Sequence, residues 1–355
     1  MAKIYDYFLG STNPDGFVSF FEQLLDLSAP FRTYIIKSGP GCGKSSMMKR
    51  MANRISQAGF DLELIHCSSD PDSLDGVVCR QLHFAIADGT SPHVLEPSLP
   101  ACKQEVVSLY DCIDSAQLTA GFLFLRENYE IYCENHIRAK RYACAFGKLF
   151  VDLRDTSSRY VETTKLHRYA ENLAARTMPK KCCAGFESVR LSGAITPLCY
   201  IDYTKSNLDS LENVYILNDR YTSAGHMLMK LLRDRARLAG YDIVTSRNPF
   251  CPIEIDSVLI PELSLAFATA GFFDPLYVSG AHTIGEKTVY SSDLELCRKR
   301  LSFMQRASHE LLNESGKYLA QAKAMHDKME SVYSANINFD LVREREARLL
   351  SELGL

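Results

Sequence analysis

Two stretches of the chain carry the same succession of apolar runs and polar breaks. Tyr34-Ile35-Ile36 is an apolar run short enough for a buried strand. The pattern then changes, and Met47, Met48, Met51 and Ile55 fall at helical spacing on one face of a segment that stops at Gly59. Val214-Tyr215-Ile216-Leu217 opens the second stretch, followed by Leu228, Met229, Leu232 and Ala236 on one helix face and a stop at Gly240. Glycine suits both ends, because it takes the left-handed conformation that closes a helix without steric cost. Leu62-Glu63-Leu64-Ile65 and Phe84-Ala85-Ile86-Ala87 read as further strands, so the pattern predicts a parallel sheet covered by helices. After each sheet region comes a segment almost free of Gly and Pro, roughly residues 115–177 and 292–353. Helical spacing throughout predicts a long helical hairpin attached to its own α/β unit.

The likeness of the two stretches is a sequence repeat. A shift of 181 residues aligns Tyr34–Ala87 with Tyr215–Ala268 without a gap, and 14 of the 54 positions are identical. Chance at ordinary composition gives roughly 3 or 4. A shift of 183 also matches Gly10 with Gly193 and Pro14 with Pro197, which carries the repeat back toward the start of each copy. The chain is therefore expected to hold two tandem units, residues 1–183 and 184–355.

Between the first strand and helix lies Ser38-Gly39-Pro40-Gly41-Cys42-Gly43-Lys44-Ser45-Ser46. This matches the phosphate-loop pattern GxxxxGK[ST] except that Ser38 stands at the first glycine. A glycine-rich turn can wrap its backbone N–H groups around phosphate oxygens, and the helix start adds partial positive charge. In that geometry Lys44 reaches the β- and γ-phosphates and Ser45 is one ligand of a Mg²⁺ carried in with the nucleotide. Asp88 ends the strand Phe84–Asp88 and is the expected carboxylate partner of that Mg²⁺. In the second copy Gly43 becomes Ala224, Lys44 becomes Gly225, Ser45 becomes His226 and Asp88 becomes Thr269, so one intact and one silent site are expected. His66, Asp70 and His93 fall near strand ends, where open α/β sheets hold ligands. The residue that orients water is expected to be Asp70 or to lie in the hairpin, and a zinc site from His66, Cys67 and His93 is a further alternative.

Composition narrows the field further. The formal charge of −3 and pI near 6.3 give no global field for a nucleic-acid backbone. Arg138, Lys140 and Arg141 form a local basic cluster on the first hairpin, read as a solvated face rather than a nucleic-acid surface. No stretch approaches the apolar length of a membrane span and the N-terminus lacks a signal-peptide core, so a cytoplasmic protein is expected. The twelve cysteines form no CxxC pair; Cys182-Cys183 is placed in the loop between the units.

On its phosphate loop, its His66-Cys67 and Ser69-Asp70-Pro71 cluster, Leu74-Asp75-Gly76 and Asp88-Gly89-Thr90, the chain resembles uncharacterised bacterial P-loop ATPases with duplicated units, sometimes labelled nucleotide-kinase-like. The resemblance implies ATP binding and a second Gly-Lys-Ser/Thr loop, where this chain instead has Asn218–His226. The resulting expectation is an α/β protein of two tandem P-loop NTPase-like parallel-sheet units, each with a long helical hairpin. It would bind ATP with Mg²⁺ through Gly39, Pro40, Gly41, Cys42, Gly43, Lys44, Ser45 and Ser46, and hydrolyse it. The alternatives are a nucleotide or small-molecule kinase, and a non-hydrolysing module that presents its hairpins to a protein partner. Arg220 in the silent loop is a further candidate, as an arginine finger reaching the first site.

Overall fold

A computed structural model describes residues 2–26, 31–91, 93–181, 185–273 and 275–355. Cys182 and Cys183, singled out above, lie outside the described residues.

The first half opens with β1 (Ile4–Phe8) and the small hairpin β2 (Gly10–Asn13) and β3 (Gly16–Ser19), then runs through β4 (Arg32–Lys37) into α1 (Lys44–Gln57). Strands β5 (Leu62–His66), β6 (Leu74–Cys79), β7 (Phe84–Asp88) and β8 (Gln104–Ser108) follow. The half ends in three helices, α2 (Ser115–Ala120), α3 (Phe122–Ser158) and α4 (Thr163–Thr177). The second half repeats the order. It has β9 (Glu187–Leu191), the hairpin β10 (Gly193–Thr196) and β11 (Cys199–Asp202), a short α5 (Thr204–Leu208), β12 (Asn213–Asn218) and α6 (Ala224–Ala239). After these come β13 (Ile243–Asn248), β14 (Cys251–Ile260), β15 (Leu265–Ala270), β16 (His282–Ile284), α7 (Arg298–Ala335) and α8 (Phe339–Glu352). Among the described residues no helix is long and apolar enough to cross a membrane.

The main strands form one twelve-stranded sheet in the order β16-β12-β15-β14-β13-β9-β1-β5-β6-β7-β4-β8. Read outward from its centre, each half has the same strand order. The halves meet at an antiparallel bridge between Phe8 and Leu191, so the sheet is continuous and the two halves point in opposite directions. The duplication extends to backbone conformation: Gly59 and Gly240 have φ of 93° and 90°, and His83 and Ser264, at aligned hairpin turns, have φ of 49° and 45°.

The expected all-parallel sheet is not found. The sheet is mixed, because β6 runs antiparallel to β5 and β7, and β14 antiparallel to β13 and β15. Each inserted strand pairs with the next one across a tight turn, and the residues that begin β6, Leu74-Asp75-Gly76, resemble a turn in sequence although all three are buried.

The helical hairpins do not pack on their own halves alone. Phe146, Phe150 and Leu153 of α3 and Leu166 and Leu173 of α4 share a core with Leu228 and Leu232 of α6, in the second half. Val342 and Leu349 of α8 share a core with Met47, Met48 and Met51 of α1, in the first. The long helices α3 and α7 lie antiparallel: Ser315 donates to the Ala139 carbonyl at 3.0 Å, and Arg300 pairs with Asp152 at 2.8 Å. With 37 and 38 residues, each is roughly 55 Å long and spans from one half to the other.

Candidate functional site

Strand β4 carries Ile35 and Ile36, both fully buried, to the sheet edge, and α1 is held down by Met47, Met48, Met51 and Ile55, also fully buried. The loop between them makes its turn at two glycines, Gly41 with φ of 64° and Gly43 with φ of 80°, a region costly for residues with a Cβ. Gly43 is the cap of α1 and offers no side chain to the first turn, so the partial positive charge of the helix start faces the loop interior.

Lys44 folds back into this loop. Its Nζ donates to the Gly39 carbonyl at 2.7 Å and stands 3.4 Å from Asp88 Oδ2, and both side chains are only about one-eighth exposed. The other carboxylate oxygen of Asp88 accepts from the Thr90 N–H at 2.9 Å and the Thr90 hydroxyl at 2.6 Å, which fixes Oδ2 toward Lys44. Ser45 Oγ accepts from the Leu74 N–H at 3.0 Å, tying the start of α1 to β6. Ser38 is buried and, among the described residues, its hydroxyl has no hydrogen-bond partner. Cys42 is buried with its Sγ 3.4 Å from the Pro40 carbonyl, and Ser46 is exposed on the first turn of α1. Thus Lys44 and Asp88 pair at the glycine loop, while the Ser45 hydroxyl is engaged by β6.

Other candidates go elsewhere. Asp70 accepts from Ser73 Oγ at 2.7 Å and lies 3.6 Å from Lys323 of α7; among the described residues no hydrogen bond or ion pair joins it to Lys44, Ser45 or Asp88. His66 has its ring nitrogens 2.8 Å from Asp6 Oδ1 and 2.9 Å from the Pro71 carbonyl. His93 faces Asp75 at 3.3 Å and stacks on Phe21 at 4.3 Å. The zinc set His66, Cys67 and His93 is therefore not assembled. Among the described residues the group close enough to share a metal is His326, Asp327 and Glu330 on α7. In the basic cluster, Arg138 sits over the Tyr318 ring at 5.7 Å, and Tyr142 stacks on Tyr318 at 5.6 Å.

The residues that sequence reading missed come from the far end of the chain. Glu330 of α7 accepts from the Gly41 N–H at 3.2 Å, so a carboxylate takes one of the donors a phosphate loop would offer to phosphate. A Cβ built on Gly39 would lie 2.6 Å from the Tyr333 ring, and one on Gly41 would lie 2.6 Å from the Glu330 carbonyl. Arg50 of α1 clamps Glu346 of α8 with two nitrogens, and Tyr34 donates to Glu352 at 2.7 Å. Nothing local in the sequence marks these partners, because they lie about 290 residues away from the loop.

The second half shows what the same loop becomes without its lysine. Asp219, fully buried, accepts from the Gly225 N–H at 2.9 Å, the Tyr221 N–H at 3.0 Å and the Tyr290 hydroxyl at 2.8 Å. The loop is filled by its own carboxylate. Burial pushes that carboxyl up, and these three donors pull against it. A Cβ on Gly225 would lie 1.9 Å from Thr269 Oγ1, so the space of the Lys44–Asp88 pair has closed. His226 replaces Ser45; its Nδ1 lies 3.1 Å from the Ile255 carbonyl and its Nε2 3.0 Å from Glu254 Oε2. Burial holds the imidazole down to about 4 and pushes Glu254 up to about 7.

Arg220 does not serve the first loop. It pairs with Glu286 at 3.1 Å in its own half, and β12 and β4 stand nine strand spacings apart, roughly 40 Å at about 4.8 Å each.

The first loop thus brings together a lysine, a helix start and a glycine turn, with one carboxylate on the Gly41 N–H, a second facing Lys44, and the Ser45 hydroxyl tied to β6. Comparison with protein-family models, curated proteins and solved structures gave no match.

Proposed function

We propose that the first half binds a nucleoside triphosphate, ATP in the leading reading, at the loop Ser38–Ser46 and hydrolyses it. The observation that carries this is the placement of Lys44 Nζ between the Gly39 carbonyl and Asp88 Oδ2, at the start of a helix entered through two left-handed glycines. A triphosphate replaces the Gly39 carbonyl and the Glu330 carboxylate as the partner of Lys44 and of the loop N–H groups. Ser45 and Asp88 are the residues that would hold Mg²⁺, which supplies charge neutralisation of the β- and γ-oxygens. Thr90 keeps the Asp88 carboxylate oriented, and β6 positions Ser45 through the Leu74 N–H.

The seating of α7 on the loop favours a second reading alongside hydrolysis. Phosphates that take the Gly41 N–H displace Glu330, so occupancy of the loop moves a helix that also packs on the second half. Binding alone can then act as a switch, as in a nucleotide-gated interaction module.

The test is Mg²⁺-dependent phosphate release from ATP and from GTP, run beside Lys44→Ala and with added nucleoside or nucleotide acceptors. Release without acceptor that disappears in Lys44→Ala is expected. Turnover only with an acceptor would make the protein a kinase, and binding without turnover would leave the gated module. Absence of nucleotide binding would overturn all three.

A further inference from the structure

The second half lacks a phosphate cradle but keeps a crevice at the same sheet edge. A cavity of about 1080 Å³ opens there between the ends of β12, β15 and β16 and the first turns of α7. It is slightly above the usual range for small-molecule sites, and it lies where open α/β sheets bind ligands. Its wall is an aromatic corner: Phe272 and Phe273 meet edge to face at 4.8 Å, and His309 of α7 lies parallel to Phe272 at 5.6 Å and edge-on to Phe273 at 5.1 Å. Such a corner offers both faces and edges to a planar ring.

The rim is cationic in a specific way. Arg306 and Lys287 both line the cavity and, among the described residues, neither makes an ion pair; with Glu310, one turn along α7 from Arg306, and the Arg220–Glu286 pair also on the wall, the lining holds three cations against two carboxylates. Arg220, also on the wall, is already neutralised by Glu286. The backbone donors that would take phosphate here are consumed by Asp219 and Tyr290, so an anionic group on a ligand must be met by side chains. An aromatic wall whose lining carries one net positive charge, with Arg306 and Lys287 outside any ion pair among the described residues, favours a flat ring system carrying a negative substituent.

We propose that this cavity is a binding site for a planar aromatic anion, separate from the loop of the first half. It does not depend on that loop binding nucleotide.

The probe is 1-anilinonaphthalene-8-sulfonate, an aromatic anion whose emission rises in apolar surroundings, read in a chain without tryptophan. One saturable equivalent is expected. The double variant Arg306→Glu, Lys287→Glu, both exposed and so compatible with folding, is expected to weaken it about ten-fold. Phe273→Ala, checked for an intact thermal transition, weakens it as well. N-phenyl-1-naphthylamine, with the same rings and no sulfonate, is expected to bind more weakly and to ignore the charge reversal. Lys44→Ala leaves dye binding unchanged. Equal affinity of the two dyes, indifference of the sulfonate to the double variant, or loss of binding in Lys44→Ala would each overturn the proposal.

Discussion

Thr222 aligns with Gly41 and has kept its conformation, with φ of 61° against 64°, although a β-branched side chain pays for the left-handed region. Its hydroxyl is also buried, with no hydrogen-bond partner among the described residues. Both features cost stability, so Thr222→Gly is expected to raise it by about 1 kcal/mol, after the extra freedom glycine brings to the unfolded chain is subtracted. A lower melting temperature in the variant would show that the strain is relieved in a way the backbone angle does not reveal. Glu63 presents the opposite case. Burial alone would raise its carboxyl, but Arg190 and Arg80, each 2.7 Å away, outweigh burial and hold it down to about 2. A carboxyl depressed in the folded state adds stability that is complete above its unfolded value near 4.5 and is lost as pH falls toward 2. The linkage is about 3 kcal/mol, and Glu63→Gln, which leaves Arg190 buried and unpaired, is expected to destabilise by about 3 to 5 kcal/mol near neutral pH. Urea midpoints between pH 6 and pH 3 check both: the wild-type midpoint should fall with acid more steeply than that of the variant. In sequence Glu63 is one polar residue inside an apolar run, and only the sheet order, which places Arg190 of β9 across β1 from β5, supplies the arginine that makes it an ion pair between halves.

At the scale of elements, the decisive feature is the end of α7 laid over the first loop. Glu330 competes for the Gly41 N–H, and its negative charge opposes any phosphate arriving there. Glu330→Gln keeps the shape and removes the charge, so nucleotide affinity is expected to rise about five-fold, measured with a fluorescent nucleotide analogue at fixed salt. An unchanged affinity would mean that the carboxylate leaves the loop at no cost. The strand-loop-helix unit itself was legible, because apolar runs, methionine spacing and glycine stops are local signals that the fold obeys. The inserted strand β6 was not, since Leu74-Asp75-Gly76 carries turn residues and becomes strand only through pairing with β5 and β7. The partners from α7 and α8 were not either: helical spacing shows that a face is apolar and says nothing of which surface it meets. Asp219 was visible in the sequence as one more substitution, and only its three donors identify it as the group that fills the silent loop.

For the whole molecule, the exchange of hairpins decides how the chain comes apart. The repeat was legible, and a two-unit chain of this length would ordinarily unfold in separable steps. Here each half's core contains helices from the other, a continuous sheet joins them, and α3 and α7 run side by side across both. Neither core can open without exposing apolar surface of its counterpart, so calorimetry is expected to show one cooperative transition with matching calorimetric and van't Hoff enthalpies. Leu349 of α8 is fully buried against α1, and Leu349→Ala should cost about 2 to 5 kcal/mol by the cavity it leaves. The sharper consequence concerns where that loss is felt. If the halves were independent, the substitution would lower only the transition of the first half and leave a second peak in place. With exchanged hairpins it lowers the single transition as a whole, and protection of amides in β12 and β15, far from Leu349, falls with it. Two resolved transitions, or unchanged protection in β12 and β15, would show that the long helices join two structures that fold on their own.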